Sequence, residues 1–245
     1  MLERRLLSTQ NATPGRDGIA SAGVVRATLS ERTFAAVYDR VVGPLERGRV
    51  GAERARLCGA ARGRVLDVGA GTGANLAHWP AGDLVSRVDA CEPSEPMRRR
   101  LQRNVSNGAA AVPVSVHSVG IDGPFPDPPY DTIVCCLVLC TVPDPAAAAG
   151  ALLDALAPDG RLLYLEHVVS PGFAGKLQRL GAPAWSRVAG GCRLDRETQA
   201  ILRAAGWGIT DRECFDVPAP TRQWVAGTAI RRTWGAMERT PPTPP

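Results

Sequence analysis

The sequence predicts a doubly wound α/β domain around a mostly parallel sheet, and three observations carry that expectation. Short β-branched, apolar runs alternate with segments of helical period along most of the chain, the pattern of successive β-α units. The run 133–139 (Ile-Val-Cys-Cys-Leu-Val-Leu) is apolar at every position, as in a strand covered on both faces. The stretch 64–76 opens as such a strand, breaks into glycine at every second position (Gly69, Gly71, Gly73) and turns helix-like from Ala74.

Residues 1–30 mix Ser, Thr, Gly, Pro and Arg without period and are expected to form a disordered tail, as is the proline-rich segment 238–245. Residues 31–237 form one domain, with no repeat and no linker. Phe34, Val37, Tyr38 and Val41 fall at helical spacing, so 33–47 reads as an amphipathic helix. A second helix over 49–60 leads into the glycine strand, and a helix after the glycine loop ends near Trp79-Pro80. Strand two covers 85–91, and Ser94 can cap a helix over 95–107. A third strand follows over 112–119 and a fourth over 130–139. An alanine-rich helix over 145–157 is stopped by Pro158-Asp159-Gly160, and a fifth strand covers 161–169. A helix over 195–205 ends at Gly206, and 207–215 with 224–231 form a closing hairpin.

The 245 residues are 44% hydrophobic, enough to bury a sizeable core. The net charge of +5 does not point to nucleic acid: of 29 Lys+Arg only Lys176 is a lysine, a skew that reads as coding bias. Arg98, Arg99, Arg100 and Arg103 cluster on an outer helix and read as a solvated face. Seven cysteines form no C-x-x-C pair and have no histidine at zinc spacing, so neither metal nor disulfide is expected, which suits a reducing cytoplasm. Cys135 and Cys136 read as small core residues. No run reaches the ~18 apolar residues of a membrane span, and the opening residues do not continue into a signal peptide. Peripheral membrane contact stays open.

Glycine lets the 69–73 turn take positive φ and lets a ligand lie against bare backbone. Gly69-Ala70-Gly71-Thr72-Gly73-Ala74 also fits the dinucleotide fingerprint, but Asp67 at the strand end would repel a pyrophosphate. A cofactor with an ammonium group and no phosphate would welcome that carboxylate, and S-adenosylmethionine is one. In open α/β sheets the ligand lies outside the carboxyl ends of the strands. That rule selects Asp67, Gly69, Ala70, Gly71 and Gly73 after strand one and Glu92 with Pro93 after strand two. It adds Val119 and Gly120 after strand three, Cys136 and Leu137 after strand four, and Glu166 and His167 after strand five. Glu92 stands at the distance from the loop expected of a ribose-binding acid. Of three histidines only His167 reaches the predicted rim, as an acceptor-orienting group or base. Side chains alternate along a strand, so only one of Glu166 and His167 should face the cleft. Cys140 and Cys192 are cleft candidates without a role, and Tyr38 and Trp185 read as either acceptor-pocket lining or core.

Asp67-Val-Gly69-Ala-Gly71-Thr-Gly73 resembles the D/E-x-G-x-G-x-G loop of class I S-adenosylmethionine-dependent methyltransferases, a likeness that extends from roughly Phe34 to Arg231. The resemblance implies a seven-stranded sheet and a small-molecule methyl acceptor. It also implies an acid after strand three for the adenine amino group. Val119 stands there instead, which leaves adenine to backbone at Val119 and Gly120, or to Asp122. Asp127-Pro128-Pro129-Tyr130 matches the motif of nucleic-acid amino-methyltransferases, but it precedes strand four instead of following it, and reads as a turn. Four segments, 135–140, 165–168, 183–185 and 191–197, are similar in order and spacing to those of the microsomal thiol methyltransferase-like family, whose hydrophobic N-terminal anchor has no counterpart here. The resemblance favours S-methylation of a small, apolar thiol. O- or C-methylation of quinols, phenols or lipid head groups, an NAD(P)-dependent oxidoreductase and a cofactor-binding regulator are the competing expectations.

Overall fold

The computed structural model describes residues 43–232. Within them, seven strands form one sheet in the order β3-β2-β1-β4-β5-β7-β6. In chain order the elements are α1 (Arg49–Gly59), β1 (Gly63–Val68), β2 (Val85–Cys91), α2 (Glu95–Ser106), β3 (Val114–His117), β4 (Tyr130–Cys136) and α3 (Pro145–Asp154). Then come β5 (Leu156–Val168), α4 (Gly172–Val188), α5 (Thr198–Ala204), β6 (Trp207–Asp216) and β7 (Gln223–Arg231). β1 pairs in parallel with both β2 and β4. The chain therefore steps one way to β3 and then restarts on the other side of β1. That reversal opens a crevice at the carboxyl ends of β1 and β4. β7 enters antiparallel between β5 and β6, as the expected hairpin.

Alternation along the strands sends side chains to two cores. Leu66, Val68, Ile133, Cys135, Leu162 and Tyr164 pack under α3 and α5, where Trp207 is fully buried and donates its indole N–H to the Ala149 carbonyl. Val65, Val134, Cys136, Leu163 and Leu165 face the other way, onto Val50, Leu57 and Cys58 of α1 and Trp224 of β7. Cys135 and Cys136 are thus core residues, on opposite faces.

The structure corrects several expected boundaries. The segment after the glycine loop is not a helix: it forms turns and a single 3-10 turn, Leu76–His78. Gly71 (φ 60°) and Gly73 (φ 99°) hold the chain left-handed until Ala74, and Pro80 keeps Trp79 extended, so too few residues remain for an α-helix. β3 is limited to the four residues that pair with β2. β4 stops at Cys136 because Leu137 takes φ 62°. α3 ends at Asp154, since Tyr130 recruits the Ala155 carbonyl and Leu156 into the sheet. Pro158-Asp159-Gly160 does not stop the helix but bulges out of β5 between Leu156 and Arg161. α5 begins at Thr198 rather than 195, because Arg193 holds Asp195 and Arg196 reaches the Val142 carbonyl at 2.6 Å. Ser94 stands at the N-cap of α2 without capping through its side chain.

α4 was not expected from the sequence at all. Its buried face is Gly175, Gln178 and Ala182, whereas Phe173, Leu177, Leu180 and Val188 are exposed. A Cβ at Gly175 would lie 1.9 Å from the Ser170 carbonyl oxygen, so glycine is what lets this helix start close to the end of β5. The expected tails and most of the 33–47 helix, including Tyr38, lie outside the described residues. No helix among the described residues is long and apolar enough to cross a membrane.

Candidate active site

Asp67, next to last in β1, is only 1% exposed. Its Oδ1 accepts from Asn75 Nδ2 at 2.7 Å, and Asn75 Oδ1 in turn accepts from Arg54 at 2.6 Å. Arg54 is held by both carboxylate oxygens of Glu46, at 2.7 and 2.9 Å. Asp67 Oδ2 is buried with no partner. Burial pushes the Asp67 carboxyl up to about 7, against the Asn75 hydrogen bond, which lowers it.

The three glycines of the loop all take positive φ, for different reasons. A Cβ at Gly69 would strike Val138 Cγ2 at 2.6 Å, and one at Gly73 would strike Leu76 Cδ1 at 2.6 Å. A Cβ at Gly71 would meet only the Gly69 carbonyl oxygen, at 3.9 Å. The space over Gly71 is open, a cradle that a side chain would fill. Ala70 beside it is buried, and its N–H donates to the Cys91 carbonyl.

Glu92 closes this end of the crevice. Its Oε2 accepts from the Gly71 N–H at 2.9 Å and its Oε1 from the Ser94 N–H at 2.8 Å. Burial raises its carboxyl above the usual range, against those two bonds. Each carboxylate oxygen keeps a further lone pair, so hydroxyl donors remain possible. Pro93 is exposed, and Arg98 caps the Glu92 and Pro93 carbonyls at 3.0 and 2.9 Å. Val119 is half-buried and packs against the α3-side core. Gly120 lies against Asp122, whose Oδ1 would be 2.5 Å from an added Cβ. An orphaned carboxylate oxygen, an open glycine and a buried second carboxylate fit S-adenosylmethionine: an ammonium for Asp67, diol hydroxyls for Glu92.

At the other end of the crevice, Glu166 and His167 part as strand alternation requires. Glu166 is fully buried and turns onto the segment after β4: Oε1 accepts from the Val138 and Leu139 N–H groups at 2.7 and 2.8 Å, and Oε2 from the Cys140 N–H at 3.3 Å. Its role is to hold that loop. Leu137, in the left-handed conformation, donates to the Leu165 carbonyl at 2.8 Å, and Cys136 is buried on the Asp67 side of the sheet.

His167 is 2% exposed, and its Nε2 lies 3.0 Å from Cys192 Sγ. Its ring meets Trp224 edge-on at 5.9 Å, and its Nδ1 is buried without a partner. Trp185 donates its indole N–H to the same sulfur at 3.3 Å. The Cys192 thiol is held well below the ordinary thiol range by hydrogen bonds from Cys140, His167 and Trp185, despite burial. Burial alone would lower the His167 imidazole, but the bond to Cys192 and the charges of Cys192 and Glu166 raise it. His117 is paired with Asp89 at 3.0 Å, and His78 sits on the 3-10 turn. Asp127-Pro128-Pro129-Tyr130 is a turn at the opposite end of β4, where Asp127 pairs with Arg64 at 2.7 Å and with Arg87.

A mostly parallel sheet with this switch point and an acid-glycine-acid cradle at the ends of β1 and β2 make the crevice of a nucleoside-cofactor-binding α/β protein. The chain belongs to the methyltransferase domain family, which matches residues 45–211, and it is an S-adenosylmethionine-dependent methyltransferase. Among curated relatives it is 33% identical over 174 residues to human thiol S-methyltransferase TMT1B, covering 68% of this chain and 70% of that protein. Among solved structures, an S-adenosylmethionine-dependent methyltransferase from Thermotoga maritima, described as a possible histamine N-methyltransferase, superposes with a TM-score of 0.61 at 18% identity, covering 83% of this chain and 99% of that one. DhpI in complex with S-adenosylhomocysteine superposes with a TM-score of 0.58 at 21% identity, over 82% of this chain and 93% of its own.

Sequence reasoning did not find the Asn75-Arg54 relay behind Asp67, the Glu166 clamp or the convergence of Cys140, His167 and Cys192. Asn75 stood two residues past the last glycine and was the available signal. Cys140, Cys192 and His167 are each expected at the cleft, but nothing in the sequence pairs them, because the approach of Cys192 depends on α4.

Proposed function

We propose that this methyltransferase S-methylates a small, apolar thiol. One observation carries the reading. The four segments that resemble thiol methyltransferases, widely separated in the chain, meet at the carboxyl ends of β4 and β5. Glu166 binds the Val138–Cys140 backbone, Arg193 N–H donates to the Cys140 carbonyl at 2.8 Å, and Trp185 and His167 both meet Cys192. The relation to thiol S-methyltransferase TMT1B points the same way.

The donor supplies an activated methyl on a sulfonium, so the protein needs mainly to align the acceptor and to favour its thiolate. Asp67, the backbone of Gly69, Ala70, Gly71 and Gly73, and Glu92 with Pro93 hold the donor. Val119 and Gly120 flank its base, and Cys136 and Leu137 floor the crevice. Val138, packed over Gly69, borders donor and acceptor ends. His167 orients the acceptor sulfur, and Trp185 and Trp224 supply an apolar wall. A thiol near pKa 8.5 needs little help at neutral pH, whereas a phenol near 10 needs more.

The test is S-adenosylhomocysteine formation by the purified protein with sulfide and a small aliphatic thiol, beside a catechol and a quinol. Turnover confined to the thiols is expected. Turnover with the phenols alone would overturn the thiol reading and leave the methyltransferase intact.

A further inference from the structure

Cys140, His167 and Cys192 bring two sulfurs and an imidazole nitrogen within 4.8 Å of one another, although 27 and 25 residues separate them in sequence. We propose that these three side chains form a site for one zinc ion, whose open fourth position takes the acceptor's sulfur. The inference rests on the thiol reading above and adds to it the group that activates the thiol.

The geometry suits that ion. Tetrahedral zinc with Zn–S of about 2.3 Å and Zn–N of about 2.0 Å holds its ligand atoms about 3.5–3.8 Å apart. Here the imidazole and Cys192 sulfur are 3.0 Å apart and no pair in the cluster exceeds 4.8 Å, so small rotations about χ1 reach the required spacing. Two cysteine sulfurs and one imidazole are a donor set for a soft divalent cation rather than for calcium or magnesium. Three protein ligands with one position left open are the pattern of catalytic rather than structural zinc.

The backbone is already fixed for the task. Cys140 is held on both sides, its N–H by Glu166 at 3.3 Å and its carbonyl by the Arg193 N–H at 2.8 Å. The Cys192 N–H donates to the Ala189 carbonyl at 3.0 Å, and its sulfur accepts from Trp185, a bond that a metal-bound thiolate would keep. Of these bonds only the one from Trp185 involves a ligand atom, and the thiolate sulfur has further lone pairs for the ion. His167 sits on a central strand, between its backbone pairings to β7. The site also adjoins the donor cradle: Val138, two residues before Cys140 in the same clamped segment, is the side chain packed over Gly69.

The chemistry balances without a redox partner. The acceptor's S–H bond breaks as its sulfur takes the fourth position, and the proton leaves to water. The bound sulfur's electron pair then forms the new S–CH3 bond, while the donor's C–S bond breaks and its electron pair stays on the departing thioether sulfur.

The experiment uses the full chain, reduced, stripped with a chelator and reloaded with Zn2+ or Co2+. About one equivalent of metal per chain is expected to stay bound through gel filtration. The cobalt form should show thiolate-to-metal charge-transfer absorption and the bands of a tetrahedral ion, and a small aliphatic thiol should shift them. Cys192→Ser and Cys140→Ser should each weaken metal retention at least tenfold while S-adenosylmethionine affinity, read by calorimetry, shows that the variants fold. Equal metal retention by parent and variants would overturn the site, and a cobalt spectrum indifferent to thiol would overturn the open position. Full thiol turnover by metal-free protein would remove the zinc and leave the thiol activity standing. A loaded protein inert towards every thiol would instead remove the thiol reading and leave the ion bound.

Discussion

The two ends of the crevice are built on different principles. The proposed donor end is local in sequence: Asp67 and Glu92 stand 25 residues apart at the ends of neighbouring strands, with the glycine turn between them. The proposed acceptor end is assembled from four elements, with Cys140 after β4, His167 on β5, Trp185 on α4 and Cys192 in the loop beyond it. One end presents open backbone at Gly71 and buried carboxylates. The other presents sulfur, imidazole and indole. A shared cofactor can be held by a short, recurrent piece of chain, whereas an acceptor pocket needs contacts that the rest of the fold must bring together.

The largest effect is expected where the acceptor end is held in place. Glu166→Ala would leave the N–H groups of Val138, Leu139 and Cys140 buried without their acceptor. A loss of about 3–5 kcal/mol of unfolding free energy in urea is expected. Glu166→Gln, which keeps one carbonyl oxygen for the two Oε1 bonds, should lose about 1–2 kcal/mol, and its acceptor KM should rise more than its donor KM. An alanine variant as stable as the parent would show that the carboxylate holds nothing.

That asymmetry also decides what could be read from the chain. The mostly parallel sheet, its closing hairpin and the glycine turn were legible because each rests on local signals: apolar runs, alternate glycines and the acids Asp67 and Glu92 at the ends of β1 and β2. The segment after the loop reads as a helix in the sequence, yet Gly71 and Gly73 impose a left-handed turn that leaves room for a single 3-10 turn. α4 was missed because its buried stripe is Gly175, Gln178 and Ala182 while its large apolar residues face outward, the reverse of the pattern that marks a helix. Without α4, Cys192 and His167 share the cleft but not a contact, and ligands 25 and 27 residues apart fall outside the spacing rules for metal sites. Strand alternation lets only one of Glu166 and His167 face the cleft, but the three amides that Glu166 serves depend on how β4 ends.

The donor end can be broken more selectively. Glu92→Ala removes the carboxylate that bridges the Gly71 and Ser94 N–H groups and faces the cradle. S-adenosylmethionine affinity should fall by about 1–3 kcal/mol, with acceptor KM unchanged within error, since the acceptor end shares no partner with Glu92. Isothermal titration gives the first quantity and initial rates the second. Equal affinity of variant and parent would take Glu92 out of the donor site.

The finest comparison is between two charge states of Asp67. Burial raises its carboxyl to about 7 in the folded protein, above the usual carboxylate value near 3.9, so the group favours folding most below pH 4 and loses that contribution as pH rises towards 7. A bound ammonium favours the ionised form and opposes that shift. Below pH 7, therefore, donor binding must expel a proton from Asp67, and affinity should fall up to about tenfold per pH unit on going from 7 towards 6. Above 7 the carboxyl is already ionised and affinity should level off. Asp67→Asn keeps a partner for Asn75 but has no proton to lose, so its donor affinity should be weaker at pH 8 and flat towards pH 6. Calorimetry at pH 6 in two buffers of different ionisation enthalpy counts the released proton directly. The parent should release most of one and the asparagine variant none. The same release from both would assign the proton to another group and leave Asp67 a structural acid held by Asn75.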